Sequence, residues 1–344
     1  MSLEVYDLNN PATRYEISHA ISVLLSVYYN DIGKMTVVMP INDYNVAVLK
    51  QDHVVYDTER SAVYIIQNVK VDTKLNRITA NGYTADWLLN KRVIAEKVKI
   101  NNVERDSYST ITANLRGLSR VSLAPVQGLE GNVDDAELMG GQLLDSLADV
   151  WEEVELGRRM LWDDATRGYT FQLYKGVDRT QGIHAVVFSE EQGTAQQLVI
   201  NDDASGYKNV SYIVAEFSDD TTELLSVGTA TGDDCREAWT KTTIRQTSEE
   251  TKEETRKRAK AEAALTLARS LQRKNFSVVV DPAELGRAYN LGDVVACVSV
   301  RFGVQFTARV TGIKYTMDIQ GEKTEVILGT PNITAIGGLE LGRN

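Results

Sequence analysis

The chain has 344 residues, a mass of 38.2 kDa and a formal net charge of −11, with a sequence pI near 5.0. Hydrophobic residues make up 43% and charged residues 25%, a balance that supports packed cores and excludes global disorder. The acidity argues against a duplex-binding protein, which would need a basic patch, and two cysteines exclude a disulfide-stapled scaffold.

The first patterned segment alternates between two faces from Ile17 to Asn30. Its period of two predicts a strand, and it is shorter than the ~20 residues that cross a bilayer as a helix. Glu4 and Asp7 stand where a signal peptide would carry basic residues. We therefore expect a protein that is made and folded in a reducing cytoplasm, without membrane insertion.

The rest of the first hundred residues predicts strands with short helices between them. A turn at Asn30–Gly33 follows the first strand, because Asn, Asp and Gly favour turns. The other predicted elements are a strand from Lys34 to Met39, a short helix capped by Asn42 and ending at Leu49, a hairpin of Ala62–Val71 with Arg77–Tyr83, and a short helix after Thr84.

The character of the chain changes between residues 99 and 182. Ser107–Leu118 predicts a helix, and a glycine-rich, acidic stretch at Gln127–Gly141 predicts irregular structure. Apolar residues then recur at helical spacing from Leu143 to Val154, which predicts an amphipathic helix closed by Gly157. A hairpin of Met160–Trp162 with Tyr169–Tyr174 completes an α/β insertion.

The last part of the chain predicts strands on both sides of one long helix at 248–274. Residues 184–245 indicate about four strands, and the helix combines charged pairs spaced four residues apart with an alanine-rich apolar face. The strands predicted after the helix are Phe276–Val280, Val294–Val300, Gln305–Tyr315 and Thr324–Leu328.

These elements predict a mainly β fold with an α+β insertion. We expect two small β-barrel-like domains of related design, the first at 1–98 with strands near 183–217 returning to it, and the second at 218–344 including the long helix. The inserted α/β domain is expected at 99–182.

The usual catalytic signatures are absent from the sequence. There is no Gly-x-x-x-x-Gly-Lys-Ser/Thr loop, no His-Glu-x-x-His and no Gly-x-Ser-x-Gly. The three histidines are His19, His53 and His184, all in strand-like contexts. One of them could be a general base, but a lone histidine without a partner is more often a half-buried strand residue.

The cysteines and paired aspartates also favour structural roles. Cys297 stands in an apolar strand and is expected in a core, and Cys235 follows two acids that disfavour a thiolate. Paired carboxylates can bind Ca²⁺ or act as acid and base, but Asp also favours turns, which is the interpretation we prefer. The pairs are Asp134–Asp135, Asp163–Asp164, Asp202–Asp203, Asp219–Asp220 and Asp233–Asp234. We predict no catalytic residues, no metal and no cofactor, and the pair at 134 and 135 is the least explained.

Several segments taken in order resemble one family. They are the strand–turn–strand Ile21–Pro40 with Gly33 at its turn, Ile78–Tyr83 leading to Trp87–Arg92, and a C-terminal block of Asn275–Val280, Tyr289–Val295, Ala308–Ile313 and Glu325–Gly329. Over residues 15 to 332 the chain resembles the phage tail baseplate hub family, with its siphophage, myophage and prophage members. The C-terminal block is the most specific of these segments, and the order and spacing of its motifs carry the resemblance.

The resemblance implies a structural virion protein rather than an enzyme. It implies a homotrimeric ring at the tail tip that adapts a sixfold tail tube, or a distal tail protein, to a threefold spike or fibre and lets DNA pass. The chain would lie in the host cytoplasm before assembly. An acidic passage would repel phosphates, so no sequence-specific nucleic-acid binding is expected.

Two other classes of function remain open from the sequence. A β-rich carbohydrate- or peptidoglycan-active tail enzyme would be favoured by Asp134 and Asp135 beside a histidine in a deep pocket. A receptor-binding virion module would be favoured by exposed aromatic residues clustered on loops.

Overall fold

A computed structural model of the chain describes most of its residues and divides them into two compact units. Unit 1 is Met1–Val199 with Ser277–Asn344, and unit 2 is Ile200–Phe276. The described residues are 2–10, 13–203, 206–248, 250–268, 273–280, 284–301, 304–329 and 332–335. Among them, no helix is both long and apolar enough to cross a membrane.

The described part of the chain is mostly strand, with few helices. The α-helices are α1 (Asp43–Val48), α2 (Val103–Asn114), α3 (Leu143–Glu153) and α4 (Lys252–Ala268), and short 3-10 helices cover Ala85–Lys91 and Gly232–Asp234. The strands are β1 (Leu3–Tyr6), β2 (Arg14–Ile17), β3 (Ser22–Tyr28), β4 (Lys34–Pro40), β5 (Val54–Asp57), β6 (Ala62–Asp72), β7 (Arg77–Thr84), β8 (Val93–Asn102), β9 (Val121–Leu123), β10 (Asn132–Gln142), β11 (Gly157–Asp163), β12 (Gly168–Tyr174), β13 (Val187–Phe188), β14 (Gln197–Asp203), β15 (Val210–Glu216), β16 (Thr222–Val227), β17 (Glu237–Trp239), β18 (Ile244–Arg245), β19 (Arg273–Val279), β20 (Val294–Ser299), β21 (Val304–Asp318), β22 (Gly321–Leu328) and β23 (Asn332–Ala335).

The largest sheet of unit 1 is a curled half-barrel of antiparallel strands. From β22 its order is β22-β21-β3-β4-β7-β6-β5-β1-β2. Alternate residues such as Val23, Leu25, Val37 and Ala80 are fully buried on one face, as the period-two pattern predicts. The predicted fold class, mainly β with a helix-bearing insertion, is confirmed.

Strand β21 is the element that joins the two ends of the chain. Its first half pairs with β20 and β23, and its second half pairs with both β3 and β22. A register shift between Val310 and Gly312 separates the two halves. The early and late strands therefore share one sheet, so the compact units divide the chain differently from the domains expected at 1–98, 99–182 and 218–344.

The insertion expected at 99–182 packs into unit 1. Strands β8 and β10 form a two-stranded sheet, β9, β12 and β11 form another, and α2 and α3 pack beside them. Its core, with Trp151 and Phe171 fully buried, is continuous with Tyr6 and Val54 of the early strands. The predicted hairpin and amphipathic helix are both present, as β11 with β12 and as α3. The prediction that Gly157 closes the helix is wrong, because α3 ends at Glu153 and Gly157 begins β11.

Unit 2 is a four-stranded sheet with one helix on one face. Strand β15 pairs antiparallel with β16 and parallel with β17 and β18. Ile213, Ala215 and Leu225 pack against Ala259 and Ala263 of α4. Small alanines on the buried face allow the helix to approach the sheet closely.

Four other boundary predictions differ from the structure. The predicted helix at 248–274 is wrong at its C-terminal end, because Arg273 and Lys274 belong to β19. The stretch 127–141 is not all irregular, since β10 begins at Asn132, and the helix predicted from Ser107 begins at Val103 with Asn102 as its cap. The strand predicted from Ile17 is interrupted at His19, whose φ of 59° is incompatible with an extended chain.

An exposed ion pair connects the hairpin turn of unit 2 to α4, and it generates a pH prediction. Lys252 Nζ lies 2.6 Å from Asp219 Oδ2, which lowers the pKa of Asp219 to about 2. Because this folded pKa is depressed, the contact stabilises unit 2 above the ordinary Asp pKa and is lost as the pH falls through about 2. Lys252→Met is expected to raise the pKa of Asp219 toward its ordinary value, measured by NMR titration of the carboxyl carbon. Lys257→Met on the same helix is the control, and an unchanged pKa in Lys252→Met would contradict the assignment.

Candidate functional site

The three histidines lie on separate segments and do not form a catalytic group. His19 is exposed between β2 and β3, and His184 is exposed in the loop before β13. His53 is buried, with Nδ1 2.8 Å from the carbonyl oxygen of Val48 and Nε2 3.9 Å from Asp7 Oδ2. The Val48 contact ties the end of α1 to the start of β5, so His53 has a structural role.

Three of the five aspartate pairs lie in turns, as expected. Asp163 accepts hydrogen bonds from Ala165 N and Thr166 Oγ1 in the β11–β12 turn. The pair at 219 and 220 lies in the β15–β16 turn, and that at 233 and 234 lies in a 3-10 helix. For the other two pairs the turn prediction is wrong, because residues 134 and 135 belong to β10 and residues 202 and 203 to β14. The side chains of these four aspartates lie outside the described residues.

The remaining candidate groups also have structural surroundings. Cys297 is fully buried in β20, and burial raises the pKa of its thiol to about 12, while Cys235 is half-buried. Within the described ranges, no three or more His, Cys, Asp and Glu side chains come together as a metal site would require.

Close packing surrounds the phenol ring of Tyr29, the residue directly after β3. Its hydroxyl lies 2.9 Å from the Glu155 carbonyl oxygen and 3.2 Å from that of Tyr174, and it accepts a bond from Gly176 N. Gly157 and Gly292 pack on the ring so closely that a Cβ at either position would overlap it. The ring therefore fixes the insertion and the start of β20 to the half-barrel sheet.

Asp293, in the Leu-Gly-Asp-Val motif, fastens the segment that leaves the insertion. Its buried carboxylate accepts hydrogen bonds from Val177 N (2.8 Å), Asn290 N (3.0 Å) and Arg179 Nε (3.0 Å). Backbone bonds from Arg179 N to Val294 O and from Val294 N to Val177 O continue the contact. The motif is thus a structural clamp, in which both carboxylate oxygens accept hydrogen bonds.

Besides the contact of Asp293 with Arg179, unit 1 contains a buried ion pair between Asp86 and Arg158. Arg158 Nε is 3.0 Å from Asp86 Oδ2, and the two side chains are only 3% and 6% exposed. Arg158 also donates to Asn30 O at 2.6 Å, and its backbone N–H donates to Tyr29 O. The pair connects the 3-10 helix after β7 with β11 and with the end of β3.

Asp86, Arg158 and Asp293 are among the residues that line a cleft of about 820 Å³ in unit 1. Its walls combine apolar residues such as Val27 and Ile313 with charges of both signs. Arg60 is paired with Asp57 at 3.0 Å and lies over the Tyr315 ring at 4.4 Å. The Asp86–Arg158 and Asp57–Arg60 pairs place charges of both signs in these walls beside the apolar residues.

Sequence reasoning singled out Asp293 but missed Tyr29 and the Asp86–Arg158 pair. An acid inside the apolar run Ala85–Leu89 was the one available signal for Asp86. Nothing local to Tyr29 distinguishes it from Tyr28, because its partners are 126 or more residues away in the chain.

A comparison with protein families finds a match over almost the whole chain. A family model described as "Siphovirus ReqiPepy6 Gp37-like protein" matches residues 2–330. No curated protein matches the chain by sequence.

Solved structures with a similar fold include three tail proteins. A tail protein from Neisseria meningitidis MC58 superposes with a TM-score of 0.57 at 13% identity, covering 96% of each chain. Prophage tail protein gp18 from Listeria monocytogenes EGD-e gives 0.52 at 11% identity, over 95% of this chain and 94% of that chain. The MuSo2 prophage 43 kDa tail protein from Shewanella oneidensis gives 0.57 at 10% identity, over 95% and 98%. At these identities the likeness shows the fold.

The packing on Tyr29 predicts the effect of adding one methyl group. Gly292→Ala combines a positive φ of 95° with overlap on the ring, so we expect a loss of about 2–4 kcal/mol in unfolding free energy. Gly182→Ala is the matched control, because φ there is 85° but no atom lies within 4 Å of the added Cβ. Urea unfolding measures both, and equal losses in the two variants would contradict the Tyr29 contact.

The Asp86–Arg158 pair predicts a non-additive mutant cycle. Asp86→Leu leaves Arg158 buried without its partner and is expected to cost about 3–5 kcal/mol. The double variant Asp86→Leu/Arg158→Met removes both charges and should cost less than Asp86→Leu alone. Urea denaturation measures the free energy of unfolding of each single variant and of the double variant. If the loss in the double variant equals the sum of the two single losses, the pair does not act as a unit.

Proposed function

The chain belongs to the Siphovirus ReqiPepy6 Gp37-like protein family, and on this premise we propose that it is a structural component of a phage or prophage tail. The observation that carries the proposal is that the likeness extends along the chain. The family model spans residues 2–330, and three tail proteins share the fold over 95–96% of the chain.

Within the tail, we propose that the chain is the central baseplate hub. Three copies would form a ring that adapts the sixfold tail tube, or a distal tail protein, to a threefold spike or fibre. The order of the motifs on which the resemblance to the baseplate hub family depends supports this role. Closed threefold symmetry would use a heterologous interface, repeated head to tail around the ring.

The ring would lie at the tail tip of the virion and let DNA pass. A formal charge of −11 per chain supports a passage that repels the phosphate backbone rather than binding it. The chain would be synthesised in the host cytoplasm before assembly.

A non-enzymatic role agrees with the surroundings of the candidate residues. His53 and Asp163 have structural hydrogen bonds, and the Asp293 carboxylate accepts hydrogen bonds from three donors. The exposed large aromatic side chains among the described residues, Tyr44 and Trp239, lie on a helix and a strand rather than on a cluster of loops. Neither the enzyme nor the receptor-binding alternative gains an observation in its favour.

Electron cryomicroscopy of assembled tails tests the hub role. We expect a threefold ring of this chain around an opening of about 20 Å, which admits duplex DNA, with a net negative inner wall. Each interface in the ring should bury about 2,000 Å² or more, as obligate interfaces do. A compact dimer with a closed centre, or a positively charged channel, would refute the hub while leaving the family assignment intact.

A further inference from the structure

Strand β16 of unit 2 has an open backbone edge. In the part of the chain that the structure describes, Thr222–Val227 pairs with β15 and with no other strand. The pairing register is unbroken over six residue pairs, from Ser211 with Val227 to Glu216 with Thr222. The edge therefore lacks the bulge by which natural proteins often distort a free strand.

The register identifies which groups face outward from this edge. The turn bond from Phe217 N to Thr221 O sets the alternation of bonded and non-bonded pairs along β15 and β16. By that alternation, the N–H and C=O groups of Thr222, Leu224 and Ser226 point away from β15. The side chains of the same three residues are exposed. Backbone and side chains are thus open to a partner at the same positions.

A comparison with β2, a free edge of unit 1, shows what protection would look like. The Glu16 backbone N–H donates to Tyr44 Oη at 3.2 Å, and that hydroxyl donates back to the Glu16 carbonyl at 3.0 Å. Arg14 on the same strand forms an ion pair with Glu4. Strand β16 contains no Lys, Arg or Pro, and its one acid, Glu223, is paired with Arg256 of α4.

The sheet face beside this edge exposes two large apolar side chains among polar ones. Leu224 and Trp239 are each 58% exposed, and the register places them next to Val214 and Tyr212 of β15. Helix α4 packs on the opposite face, where the unit's core lies. A strand added to β16 could place an apolar side chain beside Leu224 on this face.

We propose that β16 is a strand-addition site, which accepts an extended segment with alternating apolar residues from a different protein of the tail. The choice of a tail protein rests on the proposed function, whereas the site itself rests on the free edge. Backbone hydrogen bonds to Thr222, Leu224 and Ser226 would supply affinity, and an apolar side chain beside Leu224 would supply selectivity.

A second copy of the same chain is the competing occupant. Two β16 strands could pair antiparallel about Leu224, with Thr222 opposite Ser226 on each side. That contact is isologous and closes at two copies, whereas a threefold ring needs a heterologous contact. The proposed threefold ring therefore excludes β16 self-pairing, and we assign the edge to a different polypeptide. A crosslink from position 224 to any segment of a second copy would overturn this assignment.

Residue-resolved hydrogen exchange of the full chain tests the free edge and its capacity to bind a strand. The probe is a synthetic peptide of alternating Thr and Val with lysines at both ends. The amides of Thr222, Leu224 and Ser226 should exchange rapidly in the free chain. At a peptide concentration about ten times its Kd they should slow about tenfold. The same peptide with alternate backbone nitrogens methylated cannot complete the ladder and should have no effect.

Two variants and a control separate strand addition from a general loss of structure. Ser226→Pro removes an outward N–H without removing a bond to β15, and Leu224→Lys introduces a charge of the kind that guards natural edges. Both should abolish the slowing at Thr222 while Glu223 and Leu225 stay protected. Ile319→Lys makes the same apolar-to-lysine change at a fully exposed turn residue and should behave as the unchanged chain.

A photo-crosslinking amino acid in place of Leu224 identifies the occupant in assembled tails. A crosslink to a different tail protein is the expected result. A crosslink between position 224 of two copies, or amide protection that rises with chain concentration without peptide, would overturn the choice of partner. Absence of peptide-dependent slowing would overturn the site itself. The choice of partner rests on the threefold ring, whereas the peptide-dependent slowing at the edge does not, so the strand-addition site and the hub role can fail separately.

Discussion

The structure depends on the way one aromatic ring brings distant parts of the chain together. Tyr29 directly follows β3, and its hydroxyl reaches backbone groups of the insertion at Glu155, Tyr174 and Gly176. Gly292, directly before the clamp residue Asp293, packs on the face of the same ring. Arg309 lies over the ring at 5.3 Å and donates to the Gly292 carbonyl oxygen. Four chain segments therefore hold one another in place around a single side chain.

This junction gives the Leu291–Val294 motif a structural role. Glycine at 292 suits both the positive φ and the close contact with the ring, and the Asp293 carboxylate accepts hydrogen bonds from three donors. The alternating strand after it then begins at Val294. The Leu-Gly-Asp-Val order is thus set by packing at the junction rather than by chemistry on a substrate.

The accuracy of sequence reasoning followed the distance over which each feature is determined. The hairpin of β6 and β7 and the amphipathic α3 follow from local periodicity and turn residues, and both were predicted. The pairing of β21 with β3 joins residues nearly 300 positions apart, and no local pattern specifies it. The same limit applies to Asp86 and Arg158, which are ordinary charged residues in sequence and become a buried pair only once β11 packs beside the 3-10 helix.

The topology distinguishes unit 1, which is built from both ends of the chain, from unit 2, which is one continuous segment. Unit 1 requires both termini, because β21 takes its partners from the beginning and the end of the chain. It must therefore form long-range contacts before its sheet is complete, which makes folding slow and leaves strand edges exposed meanwhile. Unit 2 is one continuous segment, Ile200–Phe276, with its own core of Ile213, Ala215 and Ala259. Because unit 2 has its own core, the exposed edge of β16 can change without a change in the packing around Tyr29 in unit 1. Contacts specific to a partner are therefore more readily placed on unit 2.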